Sequence, residues 1–166
     1  EMAPRAVRVG HYLAANAALL MSSVAERVTL HIEDRTDGAA LLVDPALLTT
    51  AILNLLSNAC HAMPEGGHAN IVSRNRDLSA DDPHGFGDLQ HGEYVEISIA
   101  DTGIGMTRNQ VQRAMEPFFS TRDNQMGTGL GLSSVYGFVR QRGGDLRIQS
   151  QSGEGTLVQM LLPRTH

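Results

Sequence analysis

The alternation of apolar and polar residues predicts strands along most of the chain. Val95, Ile97 and Ile99 recur at every second position, as expected for a strand that turns one face to a core. On the same grounds we predict strands over 4–9, 28–32, 39–43, 69–75, 93–100, 145–150 and 156–162. An acidic turn containing Gly38 joins the second and third strands, and a turn at 152–155 joins the last two.

Three segments carry a helical pattern instead. Residues 11–26 are rich in Ala and Leu. The segment 45–63 begins with Asp44 as a favoured N-cap and Pro45 as a favoured first helical residue. The segment 130–142 repeats apolar residues at helical spacing. These residues are Leu132, Val135, Tyr136 and Val139.

The order of these elements predicts an α+β fold. We expect a two-layer sandwich in a single domain, 1–166, with a mixed sheet and its helices on one face. The polar residues of 76–92 indicate a variable hairpin loop. Residues 106–126 show no clean period, and we expect a mobile segment there.

Composition narrows the possible functions. The 166 residues carry a formal charge of −5, which disfavours a duplex DNA binder. Cys60 is the single cysteine, so the chain holds neither an internal disulfide framework nor a CxxC metal knuckle. Hydrophobic residues make up 42%, but no apolar run reaches the roughly 18 residues that a membrane span needs.

Two polar features in the predicted elements are candidates for chemistry. On the 45–63 helix, Asn54, Asn58 and His61 form a polar stripe. It lies roughly 130° from an apolar stripe formed by Leu48, Ile52, Leu55, Ala59 and Ala62. Amide oxygens suit Mg²⁺ together with phosphate oxygens, although a solvated polar face has the same pattern. Asp101 follows the 93–100 strand, where a carboxylate can accept a hydrogen bond from an exocyclic amine. Glycines at 103 and 105 would let a flat ligand approach the backbone, although an Asp-Gly turn explains the pattern as well.

Two further segments lie closer to the third helix. Gly127, Gly129 and Gly131 alternate with other residues at a helix start, where exposed N–H groups favour phosphate. Their spacing is neither that of a Walker loop nor that of a Rossmann fingerprint. In Glu116–Arg122 the two Phe residues are best explained as an anchor for the loop, and Arg122 is placed either to reach a phosphate or to be solvated.

In this order and spacing, four segments resemble the boxes of the catalytic ATP-binding domain of bacterial sensor histidine kinases. Residues 54–59 resemble the N box, 101–105 the G1 box, 116–119 the F box and 127–132 the G2 box. The pair Gly155-Thr156 resembles a Gly-Thr pair near the adenine. The resemblance covers nearly the whole chain and implies the Bergerat ATP-binding fold.

The resemblance also implies a role for each matching residue. Asp101 would bind the adenine amine with Thr156 beside it, and Asn58 would ligate Mg²⁺ with Asn54 assisting. Gly127, Gly129 and Gly131 would wrap the phosphates at the mouth of a lid over about 106–128. The ATP-binding residues implied are Asn54, Asn58, Asp101, Gly103, Gly105, Arg122, Gly127, Thr128, Gly129, Leu130, Gly131 and Thr156, with Asn54 and Asn58 as the catalytic pair.

The resemblance implies phosphoryl transfer rather than hydrolysis. Related gyrase, mismatch-repair and chaperone ATPases have a Glu where Asn54 stands, and an amide cannot act as a general base. Many histidine kinases have a Lys where His61 stands, and the nitrogen-regulation and hybrid-kinase branches, which this sequence resembles more closely, often lack it. A self-sufficient ATPase and a non-catalytic nucleotide-sensing module remain the alternatives.

The expected partner is a dimerisation domain carrying the phosphoacceptor histidine. None of the seven histidines has the setting of that acceptor, so we expect its helices upstream of Glu1 in a longer parent protein. A response-regulator receiver domain would be an indirect partner. We expect the isolated chain to bind ATP without phosphorylating itself and to be monomeric and cytoplasmic. No nucleic-acid partner or direct membrane contact is expected, although the parent protein is compatible with a membrane anchor.

Overall fold

The computed structural model describes residues 4–79, 89–114 and 131–166, which form seven strands and four helices. In chain order these are β1 Arg5–Arg8, α1 Val9–Ser23, β2 Val28–Arg35, β3 Ala40–Val43, α2 Pro45–His61, β4 Gly67–Leu78, β5 Gly92–Asp101, α3 Arg108–Ala114, α4 Gly131–Gln141, β6 Asp145–Ser150 and β7 Thr156–Thr165. None of the helices in these ranges is long and apolar enough to cross a bilayer.

The strands form one mixed sheet in the order β1-β3-β7-β5-β4-β2. β2 and β4 are parallel, whereas the other pairs are antiparallel. β6 pairs with β7, whose opposite edge is occupied by β5. The central strand β5 is therefore held by β4 on one side and by β7 on the other.

The core lies between this sheet and the helices. Helix α2 buries Leu48, Ile52, Leu55 and Ala59 along the predicted apolar stripe, and Ala62, the last member of that stripe, is half-buried. The sheet meets them with the alternating residues of β5, Val95, Ile97 and Ile99, which are all buried. At about 25 cal/mol per Å² of buried apolar surface, this layer is the main source of the stability of the fold.

The N-terminus of α2 follows the predicted capping pattern. Asp44 Oδ1 accepts a hydrogen bond from the Ala46 amide over 2.9 Å, and Pro45 occupies the first helical position. Such a cap satisfies one of the amides that a helix start leaves unpaired. The cap thereby fixes the N-terminus of α2, whereas Asn58 and His61 lie toward its C-terminus.

Several predicted boundaries differ from the observed ones. Part of 106–126 is helix α3, which buries none of its residues and therefore leaves no apolar period in the sequence. The loop over 76–92 is shorter than predicted, because Leu78 and Gly92 are still paired in the β4–β5 ladder. Tyr136 does not belong to the buried stripe of α4, since its side chain is 37% exposed.

Candidate functional site

Three polar side chains lie side by side at one end of the sheet. Thr156, the first residue of β7, pairs with Asp101 of β5 on one side and with Ser150 of β6 on the other. Two residues further into the strands, the same face carries the buried Ile99 and Val158. Since side chains two residues apart point to the same face of a strand, the polar row continues the core face where the sheet ends.

A cavity of about 660 Å³ lies over this row. Asp101, Ser150 and Thr156 line it together with apolar and charged groups from neighbouring elements. The apolar lining comes from Ala100, Val111, Ile148 and Leu157. The polar lining also includes Gln149, Gln151 and two opposite charges, Arg108 of α3 and Glu154. A concave site that combines apolar surface with polar groups is typical of pockets that bind small organic molecules.

The two oxygens of the Asp101 carboxylate differ in their hydrogen bonding. Oδ1 accepts from the Gly103 amide over 2.8 Å and from the Thr156 amide over 3.2 Å. Oδ2 has no hydrogen bond to any residue in the described part of the chain. One oxygen therefore fixes the orientation of the carboxylate, and the other is an unused acceptor in a residue that lines the cavity.

The environment of Asp101 also changes its acidity. Burial raises its pKa above the ordinary value of an aspartate, because a desolvated carboxylate is less stable. The Gly103 and Thr156 amides oppose this rise, since they stabilise the charged form. The net shift is upward.

The glycines that follow Asp101 serve close packing of the backbone. A Cβ at Gly103 would collide with the carbonyl oxygen of Ala62, and one at Gly105 with that of Gln151. Gly105 also has a φ of 71°, which favours glycine. The structure thus requires both glycines for contacts within the protein, where the sequence suggested close approach of a ligand.

The turn after Asp101 is held on two sides. On one side the Ile104 amide donates to Ala62 at the end of α2 over 2.9 Å. On the other side the Gly153 amide donates to the Ile104 carbonyl over 2.6 Å, and the Met106 amide donates to Ser150 Oγ over 2.8 Å. The beginning of the predicted lid is therefore fixed to the β6–β7 turn.

Helix α2 presents the amide stripe that the sequence indicated. Asn54 and Asn58 are half-buried, and no other described residue hydrogen-bonds to their side chains. His61 is exposed, and its Nδ1 lies 2.8 Å from the Ser57 carbonyl oxygen. No group of three His, Cys, Asp or Glu residues in the described ranges is arranged to hold a metal ion. A divalent cation here would depend on these amide oxygens and on oxygens of a bound ligand, which is a donor set that suits Mg²⁺.

Several predicted site residues fall outside the described part of the chain. They are Arg122, Gly127, Thr128, Gly129 and Leu130, and the F box over 116–119 lies there too. Gly131 is described only as the first residue of α4.

Sequence reasoning missed most residues of the cavity, among them Ser150 and Arg108. Ser150 occupies the last position of a strand, and nothing in its immediate sequence distinguishes it from a solvated serine. Arg108 begins a short helix that carries no apolar period. Both reach the site only through the tertiary packing of β6 and α3.

Comparison with known proteins shows which protein family this chain belongs to. Residues 43–166 match the family model described as "Histidine kinase-, DNA gyrase B-, and HSP90-like ATPase". Sensor kinase CckA of Brucella abortus is 34% identical over 161 residues, which are 97% of this chain and 17% of CckA. Sporulation kinase E of Bacillus subtilis is 30% identical over 136 residues, which are 82% of this chain and 16% of that kinase. The chain thus spans about a sixth of these relatives.

Solved structures share the fold. The mycobacterial sensor histidine kinase MprB superposes with a TM-score of 0.71 at 23% identity, covering 97% of each chain. The full-length kinase ShkA in complex with AMPPNP gives 0.69 at 22% identity, covering 99% of this chain and 32% of ShkA. The predicted α+β sandwich with a mixed sheet and helices on one face is confirmed.

Proposed function

This chain belongs to the family of histidine kinase-, DNA gyrase B- and HSP90-like ATPases, and we propose that it binds Mg-ATP and transfers the γ-phosphoryl group to a histidine of a separate phosphoacceptor domain. Its relatives are sensor kinases, so the proposed setting is two-component signal transduction. The observation that carries the proposal is that Asp101 Oδ2 accepts no hydrogen bond from any described residue, while Asp101 lines a cavity with both apolar and polar walls.

The base end of the cavity fits adenine. An exocyclic amine donates hydrogen bonds, and an ionised carboxylate only accepts them. Thr156 is the strand neighbour of Asp101 and lines the same cavity. Ile148, two residues before Ser150 on the same face of β6, supplies apolar surface for a flat ring. We therefore assign Asp101 and Thr156 to adenine recognition.

We assign the phosphate groups of the nucleotide to the amide stripe of α2. Asn58 would hold Mg²⁺ and Asn54 would assist, because their side chains are accessible and have no other described partner. When bound, the ion supplies charge neutralisation for the phosphate oxygens. The glycine-rich stretch 127–131 would supply backbone amides to the phosphates, and Arg122 a positive charge. These last two assignments rest on the family resemblance.

The absence of a base at Asn54 favours transfer over hydrolysis. In phosphoryl transfer the protein contributes mainly positioning and charge stabilisation. An asparagine amide cannot take a proton from water, so water is a poor nucleophile at this site. A neutral imidazole of the acceptor domain already presents a nitrogen lone pair to the γ-phosphorus. That nitrogen would form the new P–N bond as the bond between the γ-phosphorus and the leaving ADP oxygen breaks, and the proton on the other ring nitrogen would pass to solvent or to a base of the acceptor domain.

The proposal is tested by supplying the acceptor. The chain is mixed with radiolabelled Mg-ATP and with the dimerisation and phosphoacceptor domain of its own parent protein. We expect label on the acceptor histidine, none on this chain alone, and none with an acceptor whose histidine is replaced by Gln. Tight ATP binding without transfer in the correctly paired mixture would instead favour a nucleotide-sensing module. ATP turnover above roughly 1 s⁻¹ without acceptor would favour an ATPase.

The remaining assignments concern the parent protein. A receiver domain would take the phosphoryl group from the acceptor histidine. Because the reaction consumes ATP, we place the domain in the cytoplasm. The isolated chain should be monomeric and should fail to phosphorylate itself.

A further inference from the structure

The hydroxyl group of Ser150 has three hydrogen-bonding partners. Its Oγ lies 2.8 Å from the Met106 amide nitrogen, 3.0 Å from the Gly155 carbonyl oxygen and 2.8 Å from Thr156 Oγ1. An amide can only donate and a carbonyl can only accept, whereas the Thr156 hydroxyl can do either. The direction of the hydrogen bond between the two hydroxyl groups therefore depends on the other two contacts.

Counting protons decides that direction. Ser150 has a single hydroxyl proton, and the Gly155 carbonyl is the only one of its partners that must receive it. Ser150 Oγ accepts from Met106 and has a second lone pair left. Thr156 must then donate its own proton to Ser150 Oγ across the 2.8 Å contact. Any other arrangement leaves the Gly155 carbonyl without this donor.

We infer that Ser150 is a positioning residue that makes Thr156 Oγ1 an acceptor toward the cavity and thereby selects a purine with an amino group at position 6. With the Thr156 proton committed to Ser150, only oxygen lone pairs remain to face a ligand. Asp101 Oδ2 is the second acceptor in the same cross-strand row. Two adjacent acceptors suit the two protons of a 6-amino group and oppose the 6-oxygen of hypoxanthine. The inference rests on the proposed function, because it assumes that the cavity takes the base of a nucleotide.

The test compares ATP with inosine triphosphate (ITP), which carries oxygen at position 6 and a proton on N1. The triphosphate of 6-methoxypurine riboside carries the oxygen without the N1 proton and is the control for that second difference. Calorimetric titration should show that the wild-type chain prefers ATP. In Ser150→Ala the Thr156 hydroxyl regains its proton and can donate to the 6-oxygen. We expect the ratio of ATP to ITP affinity to fall about tenfold, the equivalent of one hydrogen bond. Ser150→Thr keeps the hydroxyl and should keep the wild-type ratio.

A second variant tests the same point without disturbing Ser150. Thr156→Val removes the hydroxyl and should weaken ATP while leaving the 6-methoxypurine triphosphate unchanged or tighter, because an acceptor is lost. If Thr156 were a donor to the ligand, the 6-methoxypurine triphosphate would weaken instead, and the inference would be wrong. The double variant Ser150→Ala, Thr156→Val should have the same ratio of ATP to ITP affinity as Thr156→Val alone, because Ser150 acts through the Thr156 hydroxyl.

The remaining outcomes are separable. Equal loss of ATP and ITP affinity in Ser150→Ala would show that Ser150 only supports the turn. If the wild-type chain binds neither nucleotide, the proposed function fails before the question of selectivity arises.

Discussion

Asp101 and Thr156 face each other across β5 and β7, and the Thr156 amide donates to Asp101 Oδ1 over 3.2 Å. The backbone of the neighbouring strand thus orients the carboxylate, and the Gly103 amide adds a second donor to the same oxygen. β5 pairs with β4 over ten residues and with β7 over eight, so this orientation is supported by the centre of the sheet.

Replacing Asp101 with Asn should abolish selective ATP binding. The amide oxygen of Asn can still accept from Gly103 and Thr156, so its NH₂ group would take the place of Oδ2. A donor would then face the amine of adenine, and we expect at least a tenfold loss of affinity by calorimetry. The fold should persist, as circular dichroism can verify. An unchanged affinity for ATP would refute the adenine role of Asp101.

As the pH is lowered, the affinity for adenosine should begin to fall at a higher pH than the titration of an ordinary aspartate would predict. The carboxylate must be ionised to accept from the amine, and burial raises its pKa in the folded protein. As the pH falls through that raised pKa, Asp101 takes up a proton and loses its acceptor. The decline should begin above the range of an exposed aspartate, whose pKa is about 3.9. Adenosine is the appropriate ligand, since it has no phosphate to titrate, and a constant affinity down to that range would contradict the prediction.

Replacing Asn58 with Ala should remove the effect of Mg²⁺ on ATP binding. The side chain has no other described partner, so its loss should leave the folding of α2 intact. We expect the gain in ATP affinity on adding Mg²⁺ to shrink several-fold, while adenosine binding stays at its wild-type value. Thr50→Ala, at an exposed position of the same helix, is the matched control. A parallel loss for ATP and adenosine would mean that Asn58 has a structural role.

Two glycine substitutions should have opposite effects on stability. Gly105→Ala introduces a Cβ against the Gln151 carbonyl at a positive φ, and we expect a loss of about 2 kcal/mol or more. Gly137→Ala falls at an exposed position of α4 with open space around it, and should add about 1 kcal/mol. Urea unfolding of both variants beside the wild type measures the difference. A destabilised Gly137→Ala would indicate contacts of α4 other than those described.

Local signals account for the part of the fold that was predictable. Asp44 and Pro45 mark the start of α2 because capping is decided within a few residues, and the observed cap confirms it. Asp101 was identified because the alternation of β5 stops at a carboxylate. The capping role of Asp44 follows from neighbours close in the chain, whereas the orientation of Asp101 also depends on Thr156, 55 residues away.

Long-range packing accounts for what was missed. Consecutive strands β2 and β3 do not pair with each other, because β2 lies parallel to β4 and β3 lies between β1 and β7. Ser150 gains its role from Met106, 44 residues away, and from the turn that follows β6. No periodicity or motif encodes such a meeting of distant segments.

β5 is long enough that a label at one end of the sheet would lie far from Asp101 at the other end. Nine residue steps separate Gly92 from Asp101, which is about 30 Å along the strand. A fluorescent dye on His91→Cys would therefore lie at an exposed position, far from the cavity lined by Asp101 and Thr156. Cys60 is the only natural cysteine and is buried, so a maleimide would label a single site. The protein can thus be tethered or tagged at that end while nucleotide enters at the other.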